Sequence, residues 1–99
     1  MSSDEIDEQL ARAAAPGTPV WVRDVVRDLV AGRAAREGRE MAVLRLAADE
    51  HAAAFEWLSY PDDPGERPLP GATVLRFDAG HGIVYRRDYH PADPWQPGE

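Results

Sequence analysis

The 99-residue chain contains no cysteine and no lysine. Without cysteine there is no disulfide, no thiol nucleophile, no iron–sulfur ligation and no cysteine-containing zinc site. Its eleven basic residues are all arginine and stand against eighteen acids, for a net charge of -7. An acidic chain without a basic cluster lacks the footprint that phosphate requires, so no nucleic-acid partner is expected. No run approaches the roughly 20 apolar residues of a membrane span. The opening MSSDEIDEQL is acidic and has no apolar core, so it does not read as a signal peptide. A cytoplasmic protein is the expectation. Also missing are a GxSxG elbow, a phosphate loop and a glycine-rich dinucleotide fingerprint, and no organic cofactor is expected.

What is present suits one domain with one modest core. Residues 4–15 read as a helix with acids in its first turn, where the helix dipole favours them. Its apolar side is thin, carrying Ile6, Leu10 and alanines, and Pro16-Gly17 stops it. The next helix, over 19–36, is clearer. Thr18 is placed to cap it and Pro19 suits its first position. Trp21, Val25 and Leu29 form one stripe, and Val22, Val26 and Val30 the next. Valine is a mediocre helix former, so burial must hold this segment.

From residue 40 the period becomes that of strands: EMAVLRLA, HAAAFEWLSY, ATVLRFD and GIVYRRDYH. Asp49-Glu50 reads as a turn, residues 61–71 as a proline-rich acidic loop, and 79–82 as a tight turn with glycines free to take positive φ. Strand-length runs following helices predict an α+β domain: a curved antiparallel sheet of about four strands, one main helix across it and a weaker N-terminal helix.

The C-terminal third, GATVLRFDAGHGIVYRRDYHPAD, resembles the end of the nuclear-transport-factor-2-like superfamily. The likeness is to its SnoaL-like polyketide cyclase and limonene-epoxide-hydrolase-like branches, which end in a strand, a "DG.I" turn and a strand with an "RDY" pattern. Here the turn is Asp78 to Ile83 and the ending is Arg87-Asp88-Tyr89. Gly17 ahead of Val22, Val25 and Val26 is similar to the family's glycine-led third helix, and LAADEHAAAFEW to its strand–turn–strand. The resemblance spans 17–93, leaving 1–16 as an acidic helix or arm and 94–99 as a tail. It implies a cone-shaped fold, and it differs at the front, where the family's two long roofing helices are reduced to the helix at 4–15.

The candidate site follows from that likeness. Asp88 matches a strand carboxylate that serves as acid/base in the epoxide-hydrolase-like branch. Strand alternation puts it on one face with Val84, Arg86 and His90, with Ile83, Tyr85, Arg87 and Tyr89 on the other. Against an apolar cavity such an acid suits proton transfer, with His90 or Arg86 assisting; on a solvated face it is an ion-pair partner of Arg86 or Arg87. Glu56 is a second candidate acid, isolated in an apolar strand, although a half-buried strand also explains it. The branch's Arg-x-Asp arrangement reads Ala-Phe-Glu-Trp here, without the arginine. Tyr60, Phe55, Trp57 and Arg86 are candidate substrate-binding residues, with packing the plainer role for the aromatics. His51 and His81 read as exposed, and three scattered histidines lack metal-ligand spacing, so no metal is expected. Trp95, in an acidic proline-rich tail, is a candidate anchor for a partner.

Two functions are carried forward. One is a cofactor-free cyclase, isomerase or epoxide hydrolase acting on an apolar polyketide- or terpene-like molecule. The other is a non-catalytic accessory subunit. Apolar strand faces exceed what one helix covers, so a homodimer or a larger protein partner is expected.

Overall fold

The chain forms six elements, with proline or glycine at every junction but one, the turn at Asp49-Glu50-His51. The computed structural model describes residues 3–63 and 65–89, and the candidate residues His90 and Trp95 lie outside the described residues. The order is α1 (Ser3–Ala13), α2 (Val20–Glu37), β1 (Glu40–Ala48), β2 (Ala52–Tyr60), β3 (Leu69–Phe77) and β4 (Ile83–Tyr89). The strands form an antiparallel meander in the order β1-β2-β3-β4, and the two helices pack on it: an α+β fold, as the sequence predicts.

The thin apolar side of α1 suffices because it has two supports, α2 and β1. Ile6 and Leu10, one turn apart, are both fully buried between them. On α2 the buried stripe is Val22, Val26, Val30 and Ala34, while Trp21, Val25 and Leu29 are half-buried beside it. The start of α2 differs from expectation. Pro19 itself is the N-cap, with extended backbone and no side-chain cap, and the Thr18 hydroxyl donates backwards to the Ala15 carbonyl at 2.6 Å. The helix ends where Gly38 adopts the left-handed conformation (φ 64°), its N–H returning to the Ala34 carbonyl.

One face of the sheet is the core. Met41, Val43, Leu46, Ala53, Phe55, Trp57, Leu75 and Phe77 all bury beneath the helices. A bulge leaves Leu44 as an extra, exposed residue between Val43, opposite Trp57, and Arg45, opposite Glu56. The outer edge of β1 is not left open. Ala14 forms a parallel bridge to Leu46, the Ala15 N–H donates to the Leu46 carbonyl at 2.8 Å, and the Val43 N–H donates to Gln9 Oε1 at 3.0 Å. The end of α1 thus satisfies backbone groups that an edge strand would expose.

Three local readings are corrected. β3 begins at Leu69, so the expected loop over 61–71 yields its last three residues to the sheet. Pro70 sits at the start of β3, opposite Leu58. In the β3–β4 turn the positive φ (67°) belongs to His81 rather than to a glycine. Asp78 Oδ1 accepts the N–H groups of Gly80 and Gly82, both at 2.9 Å, and the imidazole stacks flat on Trp21 at 3.8 Å between centroids. A register shift then places Ile83 opposite Phe77 and Tyr85 opposite Arg76, which interrupts simple alternation at Val84.

In the β1–β2 turn, the N–H groups of His51 and Ala52 donate to Asp49 and hold its carboxyl below the ordinary carboxylate value. That contribution to stability is present above the ordinary value and is lost as the pH falls through the lowered one. Among the described residues no helix is long and apolar enough to cross a membrane.

Of the described glycines, Gly71 leaves the least room for a side chain. It lies opposite Trp57, whose ring rests on it so closely that an added Cβ would clash with the ring carbons. Gly71→Ala is expected to cost about 3 kcal/mol, a loss of roughly 15 °C in Tm for a domain of this size. Thermal unfolding checks this, and an unchanged Tm contradicts the packing described.

Candidate functional site

The tryptophan on Gly71 begins a polar chain that crosses the sheet. Trp57 is 2% exposed, and its indole N–H needs a partner once buried. It donates to Thr73 Oγ1 at 3.0 Å. Thr73, also buried, stands on β3 opposite Asp88 of β4, and its hydroxyl donates to Asp88 Oδ1 at 2.6 Å. The other carboxylate oxygen, Oδ2, faces two guanidinium groups. Arg86 Nη2 lies 3.3 Å away, from two residues earlier in the same strand, and Arg33 Nη1 lies 3.6 Å away, from α2.

Arg33 is the hub of this arrangement. Its Cζ stands 4.3 Å above the centroid of the Trp57 ring, a cation–π contact. Its Nε reaches Glu37, one turn further along α2, at 3.3 Å. Two arginines therefore meet two carboxylates, and the cluster is neutral overall. Helix spacing aims Arg33 at the sheet, three residues beyond the buried Val30.

The space beside the cluster is filled. Leu29, Val30, Met41 and Phe55 close in beneath Arg33 and Arg86, leaving about 10 Å³, roughly the least that holds one water. The larger hollows lie elsewhere. A cleft of about 630 Å³ runs from the end of α2 to the end of β2, where Tyr60 meets Ala34, Arg39 and Asp62. A second, of about 420 Å³, lies beside Ala47, Ala54, Glu56 and Ala72.

The sequence candidates thus separate. Asp88 and Arg86 are together, on the helix side of the sheet, with Phe55 and Trp57 in the core beside them. Glu56 stands exposed on the opposite face, across from Arg45 and Ala72, so the sheet itself lies between the two acids. Tyr60 lines the cleft at the far end of β2, away from Asp88. Arg33 and Thr73 were not among the sequence candidates. The one signal for them was position: an arginine spaced with the buried face of α2, and a lone hydroxyl among the apolar residues of β3. Among the described residues no group of acids and histidines has the arrangement of a metal site.

Compared with known protein families, curated proteins and solved structures, the chain matches none of them.

Asp88→Ala removes the acceptor of Thr73 and the carboxylate shared by two arginines. Because the site is partly open to water, the expected loss is about 1–3 kcal/mol. Glu56→Gln, on the open face, is expected to change stability by less than about 0.5 kcal/mol. Urea unfolding distinguishes them, and equal effects contradict the assignment of Asp88 to the polar chain.

Proposed function

We propose that the chain is a non-catalytic interaction module of nuclear-transport-factor-2-like character, acting in the cytoplasm through its sheet. The observation that carries this reading is the state of Asp88. Oδ1 already accepts from Thr73 and Oδ2 already faces Arg33 and Arg86. A general acid or base must come within hydrogen-bond reach of a substrate atom, and the pocket lined by Thr73, Arg33 and Arg86, the three partners of Asp88, offers about 10 Å³, too little for an organic molecule. The Arg87-Asp88-Tyr89 ending and the four-strand meander support kinship with the superfamily, and the occupied acid favours its binding members over its enzymes. The helix-side face of the sheet is spent on the core, whereas the opposite face carries half-buried Ala42, Ala52, Leu58, Ala72 and Val74 and exposed Ala47, Ala54 and Tyr85, set among Arg45, Glu56, Arg76 and Arg87. A merely solvated sheet face alternates to polar residues.

The test is native mass spectrometry of the purified protein beside its Asp88→Asn variant, followed by thermal melts with apolar polyketide- and terpene-like compounds. The module reading predicts ligand-free protein from both and no ligand-induced rise in Tm. A co-purified apolar molecule that is lost in Asp88→Asn contradicts it and restores the enzyme of the cyclase or hydrolase type.

A further inference from the structure

The two edges of the sheet are finished differently. The outer side of β1 is covered by the end of α1, through the Ala14–Leu46 bridge and the bonds of Ala15 and Gln9. β4 ends the strand order on the other side, and no described segment pairs with its outer edge. The ladder shows which backbone groups are left there, because antiparallel residues direct N–H and C=O to alternate sides. Asp78 donates its N–H to Gly82 across the β3–β4 turn, and Phe77 donates to His51 on the β2 side. Even-numbered β3 residues therefore face β4, so Val74 and Ala72 bond with their partners Arg87 and Tyr89. That leaves the N–H and C=O groups of Arg86 and Asp88 on the open edge. We propose that this edge receives an extended acidic segment of a partner protein as a fifth, antiparallel strand. This names the partner in the interaction reading and rests on it.

Charge selects the partner. The chain carries a net charge of -7, yet β4 holds two arginines to one acid. That acid, Asp88, is already held by Thr73, Arg33 and Arg86. Arg87 makes no ion pair among the described residues, and neither does Arg76 on β3. Their guanidinium groups stand over Tyr89 and Tyr85, at 5.0 and 6.0 Å from the ring centroids. Tyr85, Arg87 and Tyr89 follow one another at two-residue spacing on the outward face, and all three are exposed. A strand laid beside them repeats that period, with an acid opposite Arg87 and apolar residues opposite the two tyrosines. Main-chain bonds supply the affinity of such an addition, and this alternation its selectivity. β4 contains no proline, so no edge donor is missing. The register shift near Phe77 confines the regular ladder to residues 85–89, which sets the length of segment that fits.

The probe is a fluorescein-labelled peptide, Thr-Leu-Thr-Glu-Thr-Leu-Thr, titrated into the full chain by fluorescence anisotropy. Saturable binding below about 1 mM peptide is expected, with slowed hydrogen exchange at the Arg86 and Asp88 amides. Methylating the backbone nitrogens of the two threonines that flank the glutamate should abolish binding, because those groups face β4. Methylating the backbone nitrogen of the glutamate, which faces away, should not. Arg87→Glu is expected to weaken binding at least about tenfold and to favour the peptide with lysine in place of glutamate. Arg45→Glu makes the same charge change on β1, at the far edge, and is expected to leave the affinity within about twofold. The peptide variants keep the test sound should Arg87→Glu perturb the fold. Absence of binding to the wild type overturns the proposal, as does binding that the threonine-methylated peptide retains. So does protection confined to residues outside β4, or a loss in Arg45→Glu equal to that in Arg87→Glu. The interaction reading itself falls by the separate ligand experiment on Asp88→Asn.

Discussion

The placement of Trp57 on Gly71 is the constraint from which the rest of the site follows. A tryptophan fully buried in a small domain must rest its ring on something flat, and a residue without a side chain on the neighbouring strand provides the surface. Once seated, the indole must also satisfy its N–H, and only the next inward position on β3 is within reach. Thr73 fills that position. Its hydroxyl, having accepted from the indole, donates onward, which fixes the need for an acceptor on β4. Asp88 is thus placed by the demands of a packed core as much as by any chemistry of its own.

The same arrangement explains how a carboxylate and two arginines lie at the margin of an apolar core. Arg33 uses its flat guanidinium twice, stacking on the outer face of Trp57 and holding Asp88 and Glu37 by its edges. The core ends at this lid. β4 beyond it buries little on either face, and Val84 at 64% exposure is the most open large apolar residue of the strand. The outcome is a sheet with two unlike faces. One is consumed by helices and sealed by charge; the other sets alanines among Glu40, Arg45, Glu56, Arg76 and Arg87.

Much of this architecture is legible in the sequence, and the failures have physical causes. The strands declare themselves by alternation, and α2 by its valine stripes, because burial on one face is a repeating demand. Turn geometry is less legible. Thr18 has the chemistry of a cap, but Pro19 already occupies the extended cap position and the hydroxyl finds Ala15. Glycine at 80 and 82 suggests positive φ there, yet stacking on Trp21 draws His81 into that conformation, a tertiary contact no local rule contains. The pairing of Asp88 with Arg86 is readable from spacing along one strand. Arg33 is not, since it arrives from a helix more than fifty residues earlier, and Glu56 could not be assigned a face relative to Asp88 until the register was known.

The central claim is that Trp57, Thr73 and Asp88 act as one structural unit rather than as three independent side chains. A double-mutant cycle between Trp57→Phe and Asp88→Asn, measured by urea unfolding, tests it most directly, since the two residues communicate through the Thr73 hydroxyl. The account predicts a coupling of about 1 kcal/mol that vanishes when the cycle is repeated in a Thr73→Val background. Simple additivity with Thr73 in place contradicts it.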